Sequence, residues 1–297
     1  MTTDIPEVGP AGNIPDEHIV RVTDLVRTGR RYSLAVPRFT GMPLFPGHPP
    51  FQVSNFRTPH GVRVAGTNPW GTPNEVGLGY MAEVVSGTSH SGAHIDALAH
   101  MTVGPTGEWF GGANASEHLG DFGPTVGDAA KLPPLFTRGI LLDVAGHRGV
   151  DCLERSSPIS AEELSAVADA QGTPVGRWDV VVIRTGYMSL WPDAERMRAH
   201  LTPGPDLSAA EWLAEKGVVA TGSDTETFEV QPTTDPGSPS NPQPVHTRLL
   251  IEEGIYLMES LYLEEIAAAG VHEFLFVALP LKIAGATGSM IDPLAVI

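Results

Sequence analysis

Asp16 to Arg27 sets Ile19, Val22, Leu25 and Val26 at near-helical spacing, which predicts a helix whose apolar stripe rests on a neighbouring element or a partner subunit. The residues before it, 1–15, read as a loose tail. From Tyr32 to Val84 the chain is rich in Pro and Gly, and its apolar positions fall into short pieces. Candidate strands there are Tyr32–Val36, Phe51–Phe56 and Val62–Ala65. Farther along, apolar runs alternate with helical patterns. Strands are expected at Ile140–Val144, Val180–Arg184, Val218–Thr221, Ile255–Met258 and Phe274–Ala278, with helices after Ser160 and after Ser208. Both helix starts carry a capping-box pattern, Ser160-Ala-Glu-Glu163 and Ser208-Ala-Ala-Glu211, in which the hydroxyl can satisfy a free amide of the first turn. This alternation predicts an α/β fold with a partly parallel sheet and covering helices, and the early short strands predict additional β structure. Pro232 to Pro244, full of Pro, Ser, Thr and Gly, reads as a flexible loop leading into His246.

Composition narrows the function classes. An apolar share of 41% in 297 residues suffices for a sizeable core, in one large domain or two small ones. Thirty-five acidic against 18 basic residues give a formal charge of −17, which repels phosphate backbones and anionic membrane surfaces. Neither nucleic acid nor membrane is expected as a partner. The lone cysteine, Cys152, has no partner for an internal disulfide and reads as a small buried hydrophobe. An acidic start without a basic segment or long apolar run argues against a signal peptide and for the cytoplasm. No window is apolar enough to span a bilayer.

The candidate chemistry is concentrated in one stretch, His90-Ser-Gly-Ala-His94-Ile-Asp96-Ala-Leu-Ala-His100. His90, His94, Asp96 and His100 stand at even positions, so an extended backbone would turn them to one face. A helical course would pair His90 with His94 and Asp96 with His100, and the spacing leaves both geometries open. Imidazoles and a carboxylate are the ligand set of zinc, manganese and non-haem iron, and neither group is usually buried without a partner. With 11 histidines in the whole chain, three in this run are read as a metal site.

The run resembles the signature of the cyclase family of metal-dependent hydrolases, a group that includes kynurenine formamidase and isatin hydrolase. The family pattern is His-x-Gly-Thr-His-x-Asp-x-Pro-x-His; this chain matches at His90, Gly92, His94, Asp96 and His100, with Ala93 in place of Thr and Leu98 in place of Pro. Further segments extend the resemblance from around Tyr32 to the C-terminus. They are Gly41-Met-Pro-Leu-Phe-Pro-Gly47, Arg138-Gly-Ile-Leu-Leu-Asp143, Arg184-Thr-Gly186, Gly222-Ser-Asp-Thr225, Pro244-Val-His246, Gly254-Ile-Tyr-Leu-Met-Glu259 and Leu279-Pro-Leu-Lys282. The resemblance implies a swivelling β/β/α domain with a mixed, partly parallel sheet over residues 32–297, behind an N-terminal tail and helix at 1–31. In binuclear family members a histidine and a glutamate bracketing a Leu-Leu-x-x-Gly-Ile-type stretch join the shared aspartate on a second metal, and His246 and Glu259 occupy those places here. Glu259 also ends the apolar run Ile255-Tyr-Leu-Met258, where an unpaired carboxylate would be costly.

A Zn²⁺ or Mn²⁺ held by His90, His94 and Asp96, one or two ions per chain, would lower the pKa of water towards neutrality and polarise a carbonyl. His100 is assigned to general acid/base work. The expected activity is hydrolysis of an amide (cyclic amide, imide or N-formyl amide) or a lactone of a small, aromatic substrate. The alternative is a polyketide-type cyclase or dehydratase using the same Lewis acid, and a third reading is a non-catalytic metal-binding protein. Phe45, Trp70, Trp109 and Phe110 are the candidate substrate walls, the last two favoured because Gly104-Pro-Thr-Gly107 can turn them back over the site. His48, His60, His118, His147, His200 and His272 read as surface or structural, and Arg184 and Asp224 as supporting or pairing residues. Family resemblance implies a homodimer or homotetramer, with the small-molecule substrate as the other partner.

Overall fold

Val180–Arg184 reads Val-Val-Val-Ile-Arg and is buried at every position, as expected of a strand covered on both faces. In the computed structural model of the protein, which describes residues 5–70, 75–233 and 240–297, this strand is the middle member of a nine-stranded mixed sheet. In chain order its strands are β1 (Arg31–Ser33), β2 (His94–Asp96), β3 (Leu135–Asp143), β4 (Val180–Arg184), β5 (Ala220–Ser223), β6 (Tyr256–Glu259), β7 (Glu273–Ala278), β8 (Gly288–Met290) and β9 (Leu294–Val296). They lie side by side as β1-β9-β7-β3-β4-β5-β6-β2-β8. From β3 to β6 neighbours run parallel; towards both edges they run antiparallel. Parallel neighbours need crossovers, and the helices Ala161–Gln171 and Leu207–Lys216 supply the first two.

The first of those helices begins as its sequence indicates, with Ser160 Oγ accepting from Glu163 N at 3.3 Å. The reciprocal half of the box is absent because the Glu163 carboxylate is taken by Arg148, both bonds 2.6 Å. The second helix corrects the expectation. Its cap is Asp206, which accepts from Ala209 N at 3.1 Å, while Ser208 Oγ accepts from Ala161 N and so ties the two helix starts together. An aspartate caps as well as a serine, and the serine is drawn into a tertiary bond.

Two further expectations are overturned. Val62–Ala65 is not a strand but the end of a helix, Pro59–Ala65: Thr58 caps Gly61 N at 3.1 Å, Pro59 opens the first turn, and Gly66 closes the helix at φ +62°. Those three boundary residues outweigh the β-branched valines. The N-terminal segment is not loose after Gly9, for Pro10–Asn13 forms a tight turn, Ala11 enters the main core, and Gly9 N donates to the Tyr256 hydroxyl at 3.0 Å. Residues 1–4 lie outside the described residues. The expected helix is Asp16–Val22, packed on β3 of its own chain, where His18 Nε2 meets Thr137 Oγ1 at 3.0 Å. The strand expected at Phe51–Phe56 is found as Gln52–Arg57, paired with Ala82–Ser86 in an exposed ribbon outside the main sheet. Of the loop Pro232 to Pro244, residues 234–239 fall outside the described residues. No helix among the described residues is long and apolar enough to cross a membrane.

Candidate metal centre

The strand β2 decides the geometry that spacing left open. His94 and Asp96 flank Ile95 in an extended run, so Ile95 enters the core and the two polar side chains share the opposite face. Sheet register adds the next candidate ligand: β6 pairs with β2 so that Glu259 stands opposite His94, and β8 pairs with it from the other side, Gly288 opposite Asp96. His90 precedes the strand in a turn where Gly92 takes φ +59°, a conformation glycine adopts without strain. Arg38 holds this turn to the body, donating to the carbonyls of Ser91 (2.7 Å), Ala93 and Ile291 (2.9 Å). His100 follows in a second turn, its N–H donating to Ala97 O at 2.9 Å.

The remaining histidine arrives from the opposite direction. Pro244 opens a short helix that carries His246, and the buried Glu229 carboxylate accepts from Val245 N (3.1 Å), His246 N (3.0 Å) and His246 Nδ1 (2.6 Å). That bond assigns the ring proton to Nδ1 and leaves Nε2 facing Glu259 Oε1 at 3.3 Å and Asp96 Oδ2 at 3.8 Å. His94 is oriented in the same way: Nδ1 donates to Gly92 O at 2.8 Å, and Nε2 lies 3.3 Å from Glu259 Oε2 and 3.7 Å from Asp96 Oδ1.

Asp96 is the junction. It belongs to two groups whose candidate ligand atoms lie within 4.8 Å of one another, His90 with Asp96 and His100, and Asp96 with His246 and Glu259. Both its oxygens and His90 Nδ1 are buried without a hydrogen-bond partner. His90 Nδ1 lies 3.0 Å from Asp96 Oδ1, close enough for an ion pair but misdirected for a hydrogen bond. Three unsatisfied buried atoms converging on one gap would cost several kcal/mol if nothing bound them, and a divalent cation fits that donor set.

Ionisation follows the same charges. Burial opposes a charged Asp96, but His100, His90 and His94 outweigh it and hold the carboxyl far below the usual range. Burial likewise opposes a charged Glu259, yet hydrogen bonds from His246 and His94 pull it down. In return the carboxylates raise the rings against the effect of burial: His94 upwards through Glu259, and His246 to about 10 through Glu229 and Glu259. His100 moves the other way, pushed by burial to about 4 despite Asp96. It is therefore neutral at pH 7, with a ring nitrogen free to accept a proton or a cation.

The Cyclase family model matches residues 32–230 of the 297, including the whole histidine run. The chain belongs to the Cyclase family. A solved structure described as a novel cyclase is 25% identical and superposes with a TM-score of 0.86, covering 98% of this chain and 96% of that one. Isatin hydrolase A from Labrenzia aggregata, solved with benzyl benzoate, is 19% identical at TM-score 0.63 over 90% of this chain and 93% of its own. Isatin hydrolase A from Ralstonia solanacearum is 20% identical at TM-score 0.64 over 99% of both. These two likenesses show the shared fold. No curated protein matches the chain.

In this cyclase-family chain the aromatic walls differ from the expectation. Phe45 does line the gap beside His48, His90 and Glu259. Trp109 and Phe110 do not: Val103 N donates to Glu108 O at 2.8 Å, which folds Trp109 back as expected but onto Ala99 and Ala113 in a satellite core, while Phe110 packs on the main core against Gly254. Trp70 is exposed, edge-on to Tyr80 at 5.5 Å, and does not line the gap either. His48, read as surface or structural, instead stacks on His90 with ring centres 5.2 Å apart. Arg184 pairs with Asp143 (2.9 Å) and Glu264 (2.7 Å), and Asp224 accepts from Thr185 N, Thr185 Oγ1 and Gly186 N, so both are pairing residues. Burial pushes the Cys152 thiol up to about 11, as an unreactive cysteine requires.

Glu229, Arg38 and Glu226 escaped the sequence reading. Glu229 had a signal of the kind that marked Glu259, a carboxylate within the apolar Phe228-Glu229-Val230. Glu226 lines the gap, and burial, then the charge of Glu259, pushes its carboxyl up to about 7 against the pull of Arg198.

Proposed function

We propose that this protein is a metal-dependent hydrolase that opens an amide (cyclic amide, imide or N-formyl amide) or a lactone of a small substrate. The reading is carried by one observation: Asp96, fully buried, presents two oxygens without hydrogen-bond donors at the meeting point of two His/carboxylate groups. His90, His94 and Asp96 would hold one Zn²⁺ or Mn²⁺, although the ring nitrogen grouped with His90 and Asp96 is that of His100 and His94 Nε2 lies nearer Glu259; Asp96, His246 and Glu259 would hold a second. Such an ion supplies Lewis-acid polarisation of a carbonyl and lowers the pKa of water towards neutrality. The chain's residues do the rest. Glu229 and the Gly92 carbonyl hold the Nδ1 protons of His246 and His94, so each ring offers Nε2. His100, neutral at pH 7, takes the proton of the attacking water on a ring nitrogen and returns it to the leaving nitrogen or oxygen. Similarity to isatin hydrolases agrees with a hydrolase of this kind.

Elemental analysis of wild type and Asp96→Ala, followed by a panel of cyclic amides, imides, formamides and lactones, tests the proposal. One or two Zn or Mn per chain, lost in the variant and accompanied by turnover of a panel member, is the expected result. A wild type that takes up no metal on reconstitution would sink it.

A further inference from the structure

A cavity of about 270 Å³ lies beside the candidate metal centre, walled by Phe45, Tyr187, Met197 and Leu201. Pro43, Leu44, Phe45 and Glu226 line both this cavity and the narrow gap that contains His90, His94 and Glu259. The two spaces therefore adjoin at those four residues, and Glu226 is the one among them with an ionisable side chain.

The loop that follows β5 shows how unusual that carboxylate is. Among its described residues it carries three acids, and two are fully engaged: Asp224 accepts from three donors on Thr185 and Gly186, and Glu229 from three on Val245 and His246. Glu226 is half-buried, yet among the described residues it has neither a hydrogen bond nor an ion pair; its resolved interactions are the longer-range charges of Glu259 and Arg198. The loop itself is rigidly placed. Thr227 Oγ1 bonds Thr202 Oγ1 at 2.7 Å, Ser223 Oγ bonds Thr225 Oγ1 at 2.8 Å, and Phe228 is buried in the core at φ +53°. A carboxyl group that takes no donor from the protein, at the border of a metal centre and a mostly apolar cavity whose polar lining includes Arg198 and Gln231, is suited to receive a donor from a ligand.

We propose that Glu226 accepts the N–H of a substrate amide whose apolar body fills the cavity, making the protein selective for N–H-bearing cyclic amides, imides and formamides over lactones and N-alkylated amides. The inference rests on the hydrolase reading for the place of the carbonyl, which lies at the histidines. With the body on the Phe45 and Met197 side, the atom next to the carbonyl lies at the junction, beside Glu226. An amide N–H there completes the carboxylate's missing hydrogen bond. A lactone oxygen turns lone pairs towards it, and an N-methyl group fills the space without a donor; a ligand that strips water from the carboxylate without replacing the donor binds more weakly.

The test is calorimetric titration of the metal-reconstituted protein at pH 9, where the Glu226 carboxyl, at about 7, is ionised and only accepts, with three carbonyl compounds of one shape: oxindole, N-methyloxindole and 2-indanone. Oxindole is expected to bind at least roughly tenfold more tightly than the other two. In Glu226→Leu that preference should collapse to within about threefold, while Glu226→Gln, which keeps an acceptor oxygen, should retain part of it. Equal binding of the three by wild type, absence of binding by any, or a preference that survives in Glu226→Leu would overturn the inference. If the leucine variant does not fold, the wild-type series and the glutamine variant still decide it. Turnover of the amide panel is read separately. Hydrolysis without N–H preference removes the role of Glu226 and leaves the hydrolase, whereas preference without hydrolysis does the reverse.

Discussion

His246 and His100 show how single neighbours set what a histidine can do. Glu229 grips His246 by both backbone and ring, with the Nδ1 bond at 2.6 Å, so Nε2 is aimed at Glu259 and Asp96 by the protein alone. In Glu229→Gln the amide N–H₂ offers a donor where an acceptor is needed. The second ion should bind about 10–100-fold more weakly while the first is retained, as read by titration with a competing chelator; equal loss of both ions would show that Glu229 merely supports the fold. Burial lowers His100 to about 4, so the ring is neutral at pH 7 and can accept a proton, though as a weaker base than an ordinary histidine. His100→Ala should lower turnover ~10²–10⁴-fold with metal content unchanged. Loss of metal in that variant would make it a ligand, as its grouping with His90 and Asp96 allows. At this scale the histidine run was readable because its members are adjacent in sequence. Arg38 and Glu229 were not, since the carbonyls and the ring they hold lie far along the chain.

At the scale of elements, the centre is made where three strands meet. Backbone pairing puts Glu259 of β6 opposite His94 of β2, and β8 closes the other edge with Gly288 opposite Asp96. The absence of a side chain at Gly288 makes room for a ligand: a Cβ there would fall 2.5 Å from His90 Cε1. Gly288→Ala should therefore push His90 aside, cost roughly 1–3 kcal/mol by overpacking, and reduce metal occupancy although no ligand is changed. Melting temperature and metal content measured together check this, and a variant with full occupancy at wild-type affinity would show that the ring can yield. The strands β4 and β6 were legible because strands buried on both faces are continuous apolar runs, whereas only Ile140–Asp143 of β3 and Ala220–Thr221 of β5, which reads Ala-Thr-Gly-Ser, fell within the expected runs. Val62–Ala65 was misread because the same valines suit a helix once Thr58, Pro59 and Gly66 define its ends. Trp109 was placed on the wrong side of its turn, because a turn signal gives the reversal of the chain but not the face it returns to.

For the whole molecule, stability should depend on the metal and on pH through separate groups. A cation that binds the folded chain alone stabilises it by mass action, about 2.7 kcal/mol at a hundredfold excess over Kd. Chelator should accordingly lower the melting temperature of wild type and leave Asp96→Ala unmoved. Away from the centre, Asp224 is raised by burial to about 6 even though Thr185 donates to it. A folded pKa above the unfolded one means that its contribution is fully present below the ordinary aspartate pKa and is lost as pH rises through about 6. Roughly 3 kcal/mol is at stake over that interval. Asp224→Asn, which does not titrate, should be less stable than wild type near pH 4.5, with the deficit shrinking by pH 8; urea midpoints at the two values measure it, and a deficit that grows with pH would mean that Asp224 is ionised throughout. The chain's sequence by itself determined the α/β alternation, the metal-competent run and the family, because these reside in periodicity and in spacing over a few residues. Which residues share the candidate centre, which aromatic faces it, and where a carboxyl group without a protein donor borders a cavity were decided by tertiary structure alone. Register, loop closure and burial bring together groups separated by up to 169 positions between His90 and Glu259, and no local pattern encodes the distance between them.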